Sequence, residues 1–313
     1  MLVILGPTAS GKTRLATRIA DKINGEIISA DSRQVYRKMD IGTGKDLSEY
    51  RIGEKLIPYH LIDICDTGEQ YNVNNFQHDF EKVYPEIILN GHVPIICGGT
   101  GFYIHALLKG HAYASVPMNE TLRQELEIMP AEALLSRFEK MHSSYSDLAD
   151  TSTRKRLIRA IEISDFLIRN PNAKINDQRE QKKYNPIVYG INPSLETRRE
   201  RISRRLKDRL ENGLVEEVHS LLDSGLSAGQ LIYYGLEYKY VTQFLTGEFS
   251  FSEMHKRLET EIHRFAKRQM TFFRKMEKDG IAIRWLSDDY SESEKTHIIL
   301  KGYNDFENQL LQS

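Results

Sequence analysis

Cysteine is nearly missing from this chain of 313 residues: Cys65 and Cys97 are the only two, and neither belongs to a Cys-x-x-Cys or Cys/His cluster. That rules against a disulfide framework or a zinc site and fits a reducing, cytoplasmic setting. Long apolar runs are missing as well. None approaches the roughly 18–20 residues of a membrane helix, so the chain is not expected to span a bilayer. Met1 leads straight into Leu2-Val3-Ile4-Leu5 and a glycine, with no basic region, long apolar segment or cleavage site to read as a secretory signal. There is no internal repeat or low-complexity segment. Net charge is almost absent, at −1, which argues against indiscriminate nucleic-acid binding. What is present is an ordinary globular balance, 40% hydrophobic and 28% charged, which excludes a disordered, collagen-like or coiled-coil chain. The length suits one large domain or two modest ones.

The even charge hides an asymmetry. Residues 151–210 carry 16 Lys/Arg against 7 Asp/Glu, leaving the remainder acidic. A basic middle in a neutral protein suggests a localised polyanion contact. A solvated basic helix face fits the same composition.

Apolar periodicity organises the chain. Residues 1–112 alternate strands (2–5, 27–29, 61–64, 93–97) with helices (12–23, 73–89, 102–108). That predicts an α/β fold with a parallel sheet flanked by helices. From 113 to 185 the pattern becomes helical, over 120–128, 131–141 and 153–169, as in an inserted helical subdomain ending in a polar loop. Residues 186–191 read as a strand returning to the sheet. The part from 194 to 313 is mostly helical, with helices over 194–211, 214–222 and 251–278.

The clearest motif is Gly6-Pro7-Thr8-Ala9-Ser10-Gly11-Lys12-Thr13, which fits G-x-x-x-x-G-K-[ST] at every fixed position, between a strand and a helix pattern. Its glycines let the backbone wrap an oxyanion with N–H groups turned inward. The next helix presents its positive N-terminus, Lys12 adds a cation, and Thr13 can ligate Mg²⁺. A diphosphate site follows, though not which diphosphate. A nucleoside-triphosphatase normally adds an acid at the end of an apolar strand. Residues 93–97 end in Gly98-Gly99-Thr100 without one, and Asp63 is a weak substitute.

Two more strands end in polar loops. Asp31-Ser32-Arg33-Gln34 follows 27–29, and Gly98-Gly99-Thr100-Gly101 follows 93–97. In a doubly wound sheet, ligands sit off these carboxyl ends. Asp31 there is either a helix cap or a base beside the P-loop. Thr100 is either part of a tight turn or a hydroxyl donor into the cleft.

Together these loops resemble the tRNA dimethylallyltransferases. The matching residues are Gly6–Thr13, Ser29-Ala30-Asp31-Ser32-Arg33-Gln34-Val35-Tyr36, Met39-Asp40-Ile41-Gly42-Thr43, His60-Leu61-Ile62-Asp63-Ile64 and Gly98-Gly99-Thr100-Gly101-Phe102-Tyr103. Lys155-Arg156-Leu157-Ile158-Arg159-Ala160-Ile161-Glu162 and Ala266-Lys267-Arg268-Gln269-Met270-Thr271 follow in order. The chain departs from the family pattern at Gly44-Lys45-Asp46, Lys155 and Phe272, and its Tyr238-Lys239 pair is displaced, all at or near expected tRNA-facing positions. The resemblance implies a P-loop NTPase-like fold and a Mg²⁺-dependent transfer. The dimethylallyl group would pass from dimethylallyl diphosphate to N6 of adenosine 37 in tRNAs reading codons that start with U. The diphosphate would occupy residues 6–13 and leave. Asp31 would be the general base, and Thr100 would donate to the bridging oxygen.

By the same resemblance, Asp31, Ser32, Arg33, Gln34 and Thr100 border the adenine and its neighbours. Arg123, Lys155, Arg156 and Arg159 would grip the anticodon stem-loop, as would Lys267, Arg268, Gln269 and Thr271. No membrane or obligate protein partner is implied. Two other readings of the P-loop stay open: a small-molecule or nucleoside kinase, and a non-catalytic RNA-binding protein that uses it as a nucleotide switch.

Overall fold

In the computed structural model, which describes residues 1–110, 113, 116–173 and 184–310, the apolar run Leu2–Leu5 forms β1 with every residue buried. The chain continues through α1 (Lys12–Ile23), β2 (Gly25–Ser29), a short hairpin of β3 (Arg51–Ile52) and β4 (Lys55–Leu56), and β5 (Tyr59–His60). Next come α2 (Val73–Leu89), β6 (Val93–Gly98) and α3 (Gly101–Lys109). After three further helices, it runs through β7 (Ile187–Ile191), α7 (Leu195–Glu211), α8 (Leu214–Asp223), α9 (Ala228–Tyr233) and α10 (Leu236–Leu245). It ends with α11 (Phe251–Lys278), β8 (Ile283–Leu286) and α12 (Glu292–Leu310).

The large sheet has the order β5-β2-β6-β1-β7-β8, and all its pairings are parallel. Both faces are covered, which is why β1 reads as an unbroken apolar run. Val3 and Leu5 join a core with helices α7, α8, α10 and α11; Leu2 and Ile4 join one with α1 and α12. The chain leaves β1 for β2 but leaves a slot between them for β6. Strand order therefore reverses beside β1 and opens a crevice at the carboxyl ends. Register makes those ends level: Leu5 lies opposite Gly98, and Ser29 opposite Cys97. The loops starting at Gly6, Ala30 and Gly99 consequently emerge side by side.

Contacts divide the chain into two units, Met1–Leu108 with Lys183–Ser313, and Lys109–Lys182. In the second, α4 (Glu120–Glu127), α5 (Ala131–Glu139) and α6 (Arg154–Arg169) enclose a core of Leu122, Leu126, Leu134, Phe138, Leu157, Ile158, Ala160 and Ile161. Arg154 Nη2 donates to the carbonyls of Leu126, Glu127 and Met129 and so closes off the end of α4. The polar loop expected up to 185 lies largely outside the described residues.

The strand expected over 61–64 is absent; the edge strand is β5, two residues long and just before it. Leu61 and Asp63 adopt left-handed backbone, at φ 61° and 55°, which ends an extended ladder. No described helix is long and apolar enough to cross a membrane.

Candidate active site

The P-loop turns directly off β1. Gly6 has no room for a side chain: a Cβ there would lie 2.8 Å from Ser10 Oγ and 3.2 Å from the Ile191 carbonyl oxygen. Ala9 and Gly11 take positive φ, 60° and 80°, and α1 begins at Lys12 with no side-chain cap on its first amides. Those amides and the helix dipole face the same space as Lys12, a ready-made anion site. The Ser10 hydroxyl is buried without a hydrogen-bond partner. Burial pulls the Lys12 ammonium below the ordinary lysine value, against the attraction of nearby groups including Asp31. A desolvated cation without a close counter-ion gains most from an incoming anion.

A cavity of about 1140 Å³ opens over the loop, lined by Thr8 to Thr13, Asp31 to Gln34 and Thr100. Sheet topology brings these three segments together. The Thr100 N–H donates to the Ala30 carbonyl (3.2 Å), and the Ser32 N–H donates to Thr100 Oγ1 (3.0 Å). Gly98 permits that approach, because a Cβ would meet the Ala30 carbonyl oxygen at 2.2 Å. Asp31 Oδ1 accepts the Arg33 N–H at 2.9 Å, an Asx turn that fixes the carboxylate at the cavity wall. No helix begins directly after Asp31, so it is not a helix cap; its carboxylate closes a turn and lines the cavity. Arg33 stacks over the exposed ring of Tyr233, 4.9 Å from its centroid.

The opposite wall was not read from sequence. Arg201, Arg205 and Arg209 recur every fourth residue of α7 and line the cavity. Arg201 Nη1 reaches toward the Ser10 carbonyl at 3.5 Å, and Arg205 Nη2 donates to Thr8 Oγ1. Burial, and then the neighbouring Arg209, pull Arg205 down to about 10, which still leaves it charged at neutral pH. Arg209 is buried and pairs at 3.5 Å with Asp46 and 3.7 Å with Glu237. The signal was available: the basic surplus of residues 151–210 continues into α7 one position away from its apolar stripe of Ile202, Leu206 and Leu210.

Several side chains expected to face RNA are engaged elsewhere. Arg123 grips Glu162 through two bonds, 3.1 and 2.6 Å, and Arg159 approaches the same carboxylate at 3.5 Å while donating to the Val116 carbonyl at 2.6 Å. The Glu162 side chain is 0% exposed, so it needs both cations. Lys155 and Arg156 on the same helix are exposed, with Arg156 bonded to Asp150 and Ser152. On α11, Arg264, Lys267, Arg268, Thr271 and Lys275 are all exposed. Gln269, also expected to touch RNA, does not: its side chain is turned inward and bonded at both ends of its amide. Gln34 is likewise tied down, accepting from Ser29 Oγ (3.0 Å) and donating to the Gly44 carbonyl (2.9 Å).

Lys45, at an expected RNA-facing departure, is instead 1% exposed, with its ammonium on the Tyr36 carbonyl, Asp40 and Asp63. That engagement removes Asp63 as a stand-in for the acid of a triphosphatase. The segment it closes is held from α8 by Glu217, whose carboxylate accepts the N–H groups of Asp40 (2.8 Å), Ile41 (2.7 Å) and Gly42 (3.0 Å) and the Tyr238 hydroxyl (2.7 Å).

A hard divalent cation requires oxygen ligands, and the cavity offers the Thr13 hydroxyl and the carboxylates of Asp31 and Glu49. Burial and then Asp46 raise the Glu49 pKa. No cluster of three or more His, Cys, Asp or Glu suited to a metal occurs among the described residues. Mg²⁺ ordinarily takes only one or two protein oxygens beside water and substrate phosphates, so the residues present fit it.

The chain is similar to known proteins over nearly its whole length. A family model described as IPP transferase matches residues 34–276, and one described as isopentenyl transferase matches residues 1–54. A protein of Azobacteroides pseudotrichonymphae named tRNA dimethylallyltransferase 1 is 52% identical, over 91% of this chain and 92% of its own. A tRNA dimethylallyltransferase 2 of Bacteroides fragilis is 47% identical over 98% of each chain. The crystal structure of a Bacillus halodurans tRNA isopentenylpyrophosphate transferase superposes with a TM-score of 0.70 at 31% identity, covering 100% of this chain and 99% of that one.

Proposed function

The chain belongs to the IPP transferase family, and on that footing we propose that it is a tRNA dimethylallyltransferase. In this reading it moves the dimethylallyl group of dimethylallyl diphosphate to N6 of adenosine 37, in tRNAs reading codons that start with U, and releases diphosphate. The observation that carries the chemistry is the convergence of a P-loop cation, Lys12, with Asp31 and Thr100 on one cavity.

The donor's diphosphate lies in the cradle of residues 6–13, against the α1 N-terminus, Lys12 and Arg205. Its negative charge rises as the carbon–oxygen bond breaks, and cations already fixed in place need no reorganisation to meet it. The amine at N6 is a weak nucleophile, since its lone pair is delocalised into the ring. As its nitrogen bonds to the allylic carbon, Asp31 takes the proton that the nitrogen sheds, and the diphosphate departs with the electrons of the broken bond. Thr100 donates to the bridging oxygen. Mg²⁺ held by Thr13 would supply further neutralisation of the diphosphate.

Adenosine 37 must leave its stack to reach Asp31, at a cost of a few kcal/mol. Ser32, Arg33 and the exposed Tyr233 ring supply polar edges and a stacking surface at the cavity mouth. The exposed cations of α11, with Lys155 and Arg156, suit the phosphate backbone. The same reading places the protein in the cytoplasm, with no obligate protein partner.

The test is transfer itself: labelled dimethylallyl diphosphate, Mg²⁺ and an unmodified anticodon stem-loop carrying adenosines 36 to 38, digested to nucleosides. Labelled adenosine is expected, with no consumption of ATP. Phosphate transfer from ATP with no labelled adenosine would reject the assignment in favour of a kinase.

A further inference from the structure

Gln269 lies far from the cradle in sequence but reaches it in space. Its Oε1 accepts the N–H of Thr8 (2.8 Å) in the P-loop, and its Nε2 donates to the carbonyl of Gly99 (2.9 Å), one residue before Thr100. The residue is buried, 8% exposed. A Cβ at Gly99 would stand 2.6 Å from Nε2, so the strut holds its bonded position only beside a glycine.

We infer that Gln269 is a positioning residue for the transfer, setting the separation between the diphosphate cradle and the Thr100 loop from helix α11. The inference rests on the proposed reaction.

The chemistry restricts what can serve here. One planar group must accept from an N–H and donate to a carbonyl. Glutamate cannot donate, lysine and arginine cannot accept, and methionine does neither usefully. Asparagine has the chemistry but is one methylene short of spanning both loops. The bond to Thr8 also turns that amide away from the ligand, leaving the N–H groups from Ala9 onward for an anion. Meanwhile Arg205 holds the Thr8 hydroxyl, so the first limb of the P-loop is fixed from two helices. Gln269 does this from the same helix that carries exposed Lys267, Arg268 and Thr271. The cradle is thereby anchored on the element expected to lie against RNA.

The test uses the full chain with Gln269→Met, measuring the KM for dimethylallyl diphosphate, kcat, and the Kd for the anticodon stem-loop. Losing the strut should raise the donor KM roughly tenfold, in line with leaving a buried amide unpaired, and lower kcat, while the RNA Kd stays unchanged. A weakened RNA Kd with an unchanged donor KM would overturn the inference and return Gln269 to RNA contact. Unchanged donor KM and kcat in a folded variant would overturn it as well. Should Gln269→Met not fold, Gln269→Asn gives the same readouts, with a smaller rise expected. Wild-type protein run alongside separates the two levels: no transfer by wild type would reject the reaction, whereas active wild type with indifferent variants would reject only the strut.

Discussion

Two helices, α6 and α7, carry the same net charge, five basic against two acidic residues in one and seven against four in the other, yet each holds one arginine to a different end. On α6, Arg159 joins Arg123 on the fully buried carboxylate of Glu162, so those cations answer to an acid inside their own unit. On α7, Arg205 has the Thr8 hydroxyl and a cavity before it, and burial depresses its pKa. Arg159 is committed to an acid on folding, and on α7 so is Arg209, whereas Arg205 faces a cavity. Which is which depends on where the carboxylates are, and composition counts cannot register that.

The largest effect that sharpens this contrast is expected outside both helices, at the carboxylate the cavity serves. Asp31→Ala should lower kcat by about 10²–10⁴, the usual contribution of a positioned base, while stem-loop binding persists. A mutant turning over at the wild-type rate would remove Asp31 from the chemistry.

The contrast itself is tested by neutralising one member of each set. Arg205→Gln should raise the donor KM by roughly 10–100-fold, the value of one charge-assisted bond of about 1.5–3 kcal/mol, with little change in thermal stability. Glu162→Gln should do the reverse. It leaves two partly buried arginines without their acid, at a cost of up to about 3–5 kcal/mol in unfolding experiments, with the donor KM intact. If Arg205→Gln instead melts early and Glu162→Gln instead weakens the donor, the contrast is inverted.

Smaller effects belong to exposed charge. Lys267→Glu with Arg268→Glu should weaken stem-loop binding and flatten the dependence of log Kd on log salt by roughly 1–2 units of slope. An unchanged slope would make that stripe an ordinary solvated face. The smallest expected effect is on acid stability. Burial pushes the Glu26 carboxyl up, but hydrogen bonds from His60 and His92 outweigh it and leave the pKa below the ordinary value. The stabilisation is complete above about pH 4.5, the unfolded value, and fades as the pH falls toward the folded one. Glu26→Gln should flatten that limb of the Tm–pH curve; an identical limb would assign acid sensitivity elsewhere.

Much of the frame was legible because local and tertiary signals agree. α1, α2 and α11 run over the residues their periodicity predicts, and the last two begin at capping boxes, Asn72 with Asn75 and Ser250 with Glu253. β8 and α12 were not anticipated individually; a four-residue strand such as Ile283–Leu286 leaves little periodicity to read. The error over 61–64 is tertiary in origin, since an apolar stretch there is bent by left-handed residues and Asp63 is drawn to buried Lys45. In the site, motif loops placed by parallel strands could be paired from topology alone. The arginine row of α7, the buried acid on α6 and the inward turn of Gln269 could not, because each depends on what lies opposite.

The most direct measurement is a structure of the chain with a non-reactive dimethylallyl diphosphate analogue and an unmodified anticodon stem-loop. The diphosphate should lie within the turn of residues 6–13, with the Asp31 carboxylate in hydrogen-bond reach, about 2.6–3.2 Å, of N6 of the flipped adenine. An adenine bound with its N6 beyond any reach of Asp31, or a diphosphate seated outside that turn, would contradict the account.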